Sequence, residues 1–421
     1  MRIYLPLLLF ILAFIVLDIY AFKALRLVSS QWTKPLWKYG AQALYWLSSL
    51  VIYALIIIAL VRYNQGQERS DYYIFFMSFG LLLLVFMPKL VVAFFHLFED
   101  ILHLFRRVAA HFVQNTTAGT ARDAGISRWQ FLTRLGWILA AIPFVSILYG
   151  MARGRYNFRV ERASLNFSHL PEWARGLKIV HISDIHIGSF FNNKAAVERG
   201  VNIINELQAD LILFTGDMVN NFAEELDGWE DLLSQMQARL GKFSVLGNHD
   251  YGDYVPWSDA SAKSDNLEEL KKKHAAMGFK LLNNELFQLR PESAEQPIEI
   301  LGVENWGLGG FSQYGKLDEA TKDSNPEHLQ ILLSHDPSHW DAEVREKTRI
   351  DLTLAGHTHG MQFGVEIPGI VKWSPVKYRY PRWGGLYNEQ DQYLYVNRGF
   401  GYIGFPGRVG MPPEITLIEL S

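Results

Sequence analysis

The segment Ala43–Val61 contains 19 residues and no charge, and it restricts the fold more than any other feature of the chain. Spanning about 30 Å of hydrocarbon takes roughly 20 apolar residues, with every backbone polar group paired inside a helix. Other long apolar segments occur in the first 152 residues. Asp18 lies near the end of the first, where a snorkelling or interfacial carboxylate is favoured over a functional intramembrane site. We therefore predict a membrane region, residues 1–152, with about four helical spans at 3–22, 43–61, 72–98 and 135–151.

Charge differs between this region and the rest of the chain. Residues 1–152 contain 13 lysines and arginines against six acidic residues, whereas residues 153–421 contain 27 against 37. An acidic domain disfavours a nucleic-acid-binding surface, so we expect no nucleic acid among the partners. The chain has no cysteine, which excludes disulfides, thiolate metal sites and a cysteine nucleophile. We predict that residues 153–421 form a separate domain outside the bilayer.

The basic residues of the predicted loops indicate the orientation of the chain. Nine lie in the loops after the first span and before the fourth: Lys23, Arg26, Lys34, Lys38, Arg106, Arg107, Arg122, Arg128 and Arg134. The other side has three, Arg2, Arg62 and Arg69. Because positive charge in short loops marks the cytoplasmic side, we expect residues 153–421 on the extracytoplasmic side.

The pattern of hydrophobic residues changes after about Asn157. Short runs rich in Val, Ile and Leu predict buried strands at 177–182, 211–215, 243–246, 298–303, 331–333, 352–354, 393–396 and 415–418. Helical patterns at 195–207, 224–240 and 266–277 separate the first of them. This alternation predicts an α/β domain with one substantially parallel sheet and a second, more antiparallel one.

Five of these strands are each followed by polar residues that could bind a metal. The segments are His181–His186, Gly216–Asp217, Gly247–Asp250, Ser334–Asp336 and Gly356–Gly360. Imidazole and carboxylate ligands without thiolate suit Mn, Fe, Zn or Ni. Because one ion needs fewer ligands than these segments offer, we predict two divalent metal ions about 3.5–4 Å apart, joined by a shared carboxylate.

The order of these segments resembles the signature of the calcineurin-like metallophosphoesterases: Asp-x-His, Gly-Asp, Gly-Asn-His-Asp, His and Gly-His-x-His. All five parts occur between Asp184 and His359, and the resemblance covers roughly residues 157–421. It is closest to bacterial membrane-bound members that carry several helices before the catalytic domain. The resemblance implies a β-sandwich flanked by helices, attached here to the bacterial inner membrane.

The resemblance also implies roles for individual residues. One metal would be bound by Asp184, His186, Asp217 and His359, and the other by Asp217, Asn248, His335 and His357. His249 would be catalytic, donating to phosphate oxygens and protonating the leaving group.

The chain departs from the protein-phosphatase branch after Asp217. The aspartate that would orient the catalytic histidine is Asn220, and the arginine that would hold phosphate is Asn221, which makes a phosphoprotein an unsuitable substrate. Arg379, Arg382, Arg398 and Arg408 could bind phosphate in its place. We choose Arg398, because it directly follows a predicted strand.

The leading hypothesis is a membrane-anchored dimetal phosphoesterase that hydrolyses a phosphate monoester or diester by attack of a metal-bridging water or hydroxide. The membrane anchor favours a lipid-linked ester as substrate. An alternative is a catalytically silent metal-binding membrane sensor or scaffold. A transporter is disfavoured, because the predicted spans contain almost no charge and no paired broken helices. No feature of the sequence specifies an oligomeric state.

Overall fold

The computed structural model describes the chain apart from residues 1–3, 66–68, 113–127 and 368. The described residues form two compact units, and the boundary between them lies at residues 149–150. The segment 113–127, which carries part of the loop charge used for the predicted orientation, lies outside the described residues.

The first unit consists of long apolar helices. They are α1 (Tyr4–Ser30), α2 (Pro35–Gln65), α3 (Arg69–Phe112) and α4 (Arg128–Ala152). Among the described residues, three segments are long and apolar enough to cross a membrane: Pro35–Arg62, Asp71–Ala109 and Phe131–Tyr156. They contain the second, third and fourth predicted spans. The first predicted span, 3–22, lies in α1, although the side chains of its first residues are not described.

Asp18 lies in the interior of this unit, so the expectation of an interfacial carboxylate was wrong. Its Oδ1 lies 2.8 Å from Lys89 Nζ and accepts a hydrogen bond of 3.0 Å from Ser49. Its Oδ2 accepts a hydrogen bond of 2.7 Å from Tyr53. The carboxylate and the ammonium are both buried, which is stable in an apolar surrounding only because they are paired and hydrogen-bonded. The cluster links α1, α2 and α3.

The second unit is built on two six-stranded sheets. In chain order, the strands are β1 (Arg159–Leu165), β2 (Lys178–Ile182), β3 (Leu211–Phe214), β4 (Gly241–Ser244), β5 (Phe279–Leu281), β6 (Glu285–Leu289), β7 (Ile298–Gly302), β8 (Leu329–Leu333), β9 (Leu352–Ala355), β10 (Val365–Ile367), β11 (Val371–Trp373), β12 (Gly385–Glu389), β13 (Gln392–Val396) and β14 (Glu414–Leu420). The first sheet has the order β1-β14-β2-β3-β4-β5, the second has the order β12-β13-β9-β8-β7-β6, and β10 and β11 form a separate hairpin.

The two large sheets are more alike than the sequence suggested. In the first, only β14 and β2 run antiparallel to each other. In the second, the strands β7, β8, β9 and β13 are parallel, and antiparallel pairing occurs only at the edge strands β6 and β12. The central strands carry continuous apolar runs because both of their faces are covered.

The core lies between the sheets. Ile179 and Leu213 of the first sheet belong to the same buried cluster as Ile300, Ile331 and Leu354 of the second. The outer face of the first sheet packs against α5 (Lys194–Glu206) and α7 (Ala260–Ala276), and the short helices α6 (Glu230–Ser234) and α8 (Leu317–Thr321) complete the unit. The predicted β-sandwich with helices outside is confirmed. This packing fixes the ends of β2, β3, β4, β8 and β9, from which the candidate site is built.

Candidate metal centre

The five segments singled out in the sequence follow β2, β3, β4, β8 and β9. Several of their residues hold a left-handed backbone that is uncommon outside glycine. They are Asp184 (φ 53°), His186 (46°), Asp217 (61°), His357 (69°) and His359 (51°). Backbone strain of this kind persists where the surrounding structure imposes it, and it concentrates at functional sites. The sharp turns direct the side chains into one polar cluster.

Asp184, His186 and His359 form the first part of this cluster. Each offers one ligand atom, and the three atoms lie within 4.8 Å of one another. The Nε2 atoms of His186 and His359 are 3.1 Å apart, and His359 Nε2 is 3.2 Å from Asp184 Oδ1. All three side chains are buried.

Asp217, His335 and His357 form the second part, again with ligand atoms within 4.8 Å of one another. Asn248 joins them, because its Oδ1 lies 3.0 Å from His335 Nε2 and 2.8 Å from His357 Nδ1. The structure therefore brings together all seven residues that the sequence analysis named as metal ligands.

Asp217 lies between the two parts. Its Oδ2 is 3.5 Å from His186 Nε2 in the first part and 3.2 Å from His335 Nε2 in the second. Its Oδ1 accepts a hydrogen bond of 2.8 Å from the backbone N–H of His249. One carboxylate oxygen thus faces imidazoles of both parts, which is the geometry that a shared ligand requires.

The donor set fits divalent cations. Carboxylate oxygens and imidazole nitrogens are lone-pair donors, and here they point at each other in a buried space. His186 Nδ1 has no hydrogen-bond partner among the residues that the structure describes. Although burial alone would raise the pKa of Asp217, His335 and His249 hold it well below its usual range. Against the effect of burial, Asp217 raises the pKa of His335 to about 10. These opposite pKa shifts show that Asp217 and His335 interact strongly within the cluster.

Asp250 fixes the loops that carry these ligands. Its carboxylate accepts backbone hydrogen bonds from Asp217 and Met218 at 2.8 Å and from Gly247 at 2.9 Å. The first two donors follow β3 and the third follows β4. Asp250 therefore holds the loop of Asp217 against the loop of Asn248 and orients ligands without being one.

His249, the predicted catalytic residue, is half-buried beside the cluster. Its ring lies 5.0 Å from the ring of His186 and 4.6 Å from that of Tyr254. Its Nδ1 is 2.8 Å from the backbone carbonyl oxygen of Asn220. Burial lowers the pKa of His249, and Asp217 opposes that shift. The backbone of Asn220 thus supplies an acceptor where the side chain departs from the family pattern.

Arg398, the predicted phosphate contact, is held elsewhere. Its Nη1 donates to Glu414 at 2.5 Å and its Nη2 donates to Glu366 at 3.0 Å. The side chain is buried in these ion pairs, so both terminal nitrogens already bind carboxylates. The structure gives Arg398 a packing role and does not bring it among the ligands.

The sequence did not predict that two further side chains contact the imidazoles of predicted ligands. Tyr380 Oη lies 2.8 Å from His357 Nε2, and it donates to Asp336 at 3.1 Å. Arg408 is buried, with Nη2 at 3.2 Å from His359 Nδ1. The sequence offered Arg408 as a possible phosphate contact. Its guanidinium instead binds backbone carbonyls, and such partners cannot be predicted from a sequence.

Comparison with known proteins covers both units. Residues 1–155 match the family described as "Probable Calcineurin-like phosphoesterase, transmembrane domain", and residues 177–361 match the family described as "Calcineurin-like phosphoesterase". The second match contains all seven predicted ligands and His249.

Three relatives illustrate the similarity. A zebrafish (Danio rerio) transmembrane protein with a metallophosphoesterase domain is 29% identical over 66% of this chain, and the chain spans 61% of that protein. The Bacillus subtilis metallophosphoesterase YkuE is 30% identical over 70% of this chain and 98% of its own length. YkoQ, a metallophosphoesterase of the same bacterium, is 26% identical over 67% of this chain and 97% of its own length.

Proposed function

The chain belongs to the calcineurin-like metallophosphoesterase family, and on that basis we propose that it is a membrane-anchored hydrolase of phosphate monoesters or diesters. The observation that supports this most is the position of Asp217, whose Oδ2 faces His186 on one side and His335 on the other. A site built to hold two cations around one carboxylate suits phosphoryl transfer, because charge develops on several phosphate oxygens together.

The residues divide between two ions as the family resemblance implies. Asp184, His186, Asp217 and His359 would hold one ion, and Asp217, Asn248, His335 and His357 would hold the other. Bound there, divalent ions supply positive charge for the phosphoryl group and lower the pKa of water. Mn, Fe, Zn and Ni are the candidates that this ligand set favours.

His249 is the proton donor in this proposal. Its Nδ1–H donates to the carbonyl of Asn220, which leaves Nε2 for the substrate. Its position beside His186 lets Nε2 hold a proton close to the oxygen of the departing alcohol. The carbonyl of Asn220 orients the ring but adds no negative charge, so the ring gives up its proton more readily than beside a carboxylate.

The membrane unit restricts the location at which the hydrolase binds its substrate. Residues 153–421 follow apolar helices, so the hydrolase remains at a bilayer surface, and a lipid-linked ester is the substrate class that this location favours. The charge of the loops places the hydrolase on the extracytoplasmic side of a bacterial inner membrane in this proposal. Asn221 in place of a phosphate-binding arginine disfavours a phosphoprotein.

The test uses the full chain in detergent, stripped of metal and reloaded with Mn²⁺. We expect turnover of p-nitrophenyl phosphate or bis(p-nitrophenyl) phosphate only after reloading, with about two ions bound per chain. The variants Asp217→Asn and His249→Ala should lose it. If two ions bind and neither ester is turned over, the silent sensor or scaffold becomes the better explanation. If fewer than two bind, the dimetal proposal is wrong.

A further inference from the structure

Of the four arginines near the site in sequence, one is free to meet a substrate. Arg398 pairs with glutamates, Arg408 is buried against backbone carbonyls, and Arg382 pairs with Asp341 at 2.7 Å. Arg379 is exposed and donates to the carbonyl of Gly309 at 3.2 Å. It has no carboxylate partner within the part of the chain that the structure describes.

Arg379 lies one aromatic ring away from a proposed metal ligand. Its guanidinium is 5.6 Å from the ring of Phe311 and 5.8 Å from that of Tyr380. The Phe311 ring stands edge-on to His357 at 4.7 Å, and Tyr380 Oη is 2.8 Å from His357 Nε2. Stacked on two rings and bound to a carbonyl, the guanidinium is held beside the site and outside the ligand cluster.

A cavity of about 230 Å³ opens beside the same residues. Arg379 and Tyr380 form one wall, and Leu308, Pro337 and Pro381 contribute apolar surface. Leu308 is 49% exposed, so its apolar side chain is accessible from this space. We name this space the Arg379 cavity. Asp341 and Arg382 also line this space, but they pair with each other at 2.7 Å, so Arg379 is the lining cation that has no acidic partner among the described ion pairs.

We propose that the Arg379 cavity binds the part of the substrate beyond the scissile phosphate, and that this part carries an apolar chain and a second anionic group. The inference rests on the proposed function, because the scissile phosphate is taken to lie at the seven ligands. Arg379 is separated from them by a ring, so its partner is an anion one group further along the substrate. The chain would lie against Leu308, Pro337 and Pro381. The substrate class is therefore an amphiphilic ester with at least two phosphates or an equivalent second anion.

The experiment uses the full chain in detergent, loaded with Mn²⁺, and three probes. Farnesyl diphosphate carries a chain and a second phosphate, farnesyl monophosphate carries the chain alone, and p-nitrophenyl phosphate has neither. We expect Arg379→Gln to lower kcat/KM for the diphosphate about tenfold relative to the monophosphate, mostly through KM. Arg379→Lys should recover part of that ratio, since it keeps the charge without the planar fork.

Two further variants separate charge from apolar contact. Lys377→Gln removes an exposed cation two residues away from Arg379. It should leave kcat/KM for each of the three probes within twofold of the wild-type value. Leu308→Glu should lower kcat/KM for farnesyl monophosphate about tenfold relative to p-nitrophenyl phosphate. Equal effects of Arg379→Gln and Lys377→Gln, or no preference of the wild type for the diphosphate, would overturn the inference while leaving the proposed function intact.

Binding can be measured separately from turnover in a His249→Ala background. Calorimetric titration with farnesyl diphosphate should give a Kd about tenfold weaker when Arg379→Gln is added, and an unchanged Kd when Lys377→Gln is added. If the chain with His249 intact hydrolyses no ester but the binding difference is retained, the proposed function is contradicted and the cavity is supported. A Kd that neither substitution changes would contradict the proposal that the Arg379 cavity binds the second anionic group.

Discussion

The membrane unit and the second unit each bury a polar cluster around an aspartate, but of these two aspartates only Asp18 has a lysine partner among the described ion pairs. Asp18 meets an ammonium, a serine hydroxyl and a tyrosine hydroxyl at 2.7 to 3.0 Å, so every partner donates to it. Asp217 accepts one backbone N–H with Oδ1, while its Oδ2 faces the imidazoles of His186 and His335.

This difference indicates which cluster needs an added ion. A buried charge is stable only when it is paired, and Lys89 supplies the counter-charge for Asp18 from within the chain. Among the ion pairs of the described residues, Asp217 has no lysine or arginine partner, and imidazoles face it instead. The Asp18 cluster links helices, whereas the Asp217 cluster offers the donor set of a metal site. Four predictions test this contrast, beginning with the largest expected effect.

Replacing the central carboxylate should greatly lower activity in the Asp217 cluster and have little effect on activity in the Asp18 cluster. We expect Asp217→Asn to lower kcat roughly 10³-fold or more, because a neutral amide holds two cations poorly. Metal analysis should show fewer than two ions per chain. The matched variant Asp18→Asn should keep two ions and a kcat within about fivefold of wild type. Loss of metal in Asp18→Asn would show that the two clusters are not independent.

His249 should matter for catalysis without mattering for metal binding. Removing a general acid typically costs about 10²- to 10⁴-fold in rate, and we expect His249→Ala to fall in that range while two ions stay bound. His169→Ala, which removes an imidazole paired with Asp351 elsewhere in the unit, serves as the control. Loss of a metal ion in His249→Ala would make the histidine a ligand and would contradict its proposed role.

The sequence predicts the catalytic cluster well because its ligands stand next to their strands. Asp184 and His186 follow β2 by two and four residues, so finding the strand also locates the ligands. In the same way, His335 follows β8 and His357 follows β9 at the same edge of the second sheet. Parallel strands bring such positions together whatever their distance in sequence.

Contacts that link distant side chains could not be predicted in this way. Lys89 and Asp18 are 71 residues apart, and nothing local pairs them. Arg398 follows a strand just as the ligands do, but Glu366 and Glu414, which neutralise it, lie 32 and 16 residues away. The acceptor of His249 is the backbone carbonyl of Asn220, which has no signature in a sequence.

The Asp18–Lys89 ion pair of the membrane unit should show strong coupling in a double-mutant cycle. Breaking a buried pair costs about 3–5 kcal/mol in soluble proteins, and we expect Lys89→Met to destabilise the membrane helices by roughly that amount. Asp18→Asn combined with Lys89→Met should recover at least half of the loss, since no unpaired charge remains. Unfolding in mixed micelles, followed by circular dichroism, measures both. A double variant as unstable as the sum of the two singles would show that the residues do not act as a pair.

His274 illustrates a third way to bury a polar group, which is to stay uncharged. It is fully buried on α7, with Nδ1 at 3.0 Å from Ser244 Oγ and no partner for Nε2 among described side chains. Burial lowers the pKa of His274 to about 4, from a value near 6.5 in an unfolded chain. Above pH 6.5 the ring is neutral in both states and stability does not depend on it. Between pH 6.5 and 4 only the unfolded chain binds the proton, so stability falls as the pH falls.

The size of this effect sets the last and smallest prediction. At 1.36 kcal/mol per pKa unit, the loss between pH 6.5 and 4 is about 3 kcal/mol, and His274→Asn should remove it. Melting temperatures can be measured from pH 7 to 4.5 on metal-free Asp217→Asn protein, with and without His274→Asn. As the pH drops, the melting temperature should fall more for the protein that keeps His274 than for the protein with His274→Asn. The Asp217→Asn background is common to both proteins, so the titration of the metal ligands cancels in the difference. Parallel curves would mean that the His274 ring binds its proton at the same pH in the folded and the unfolded chain, and that this interior tolerates the charged ring without a carboxylate partner.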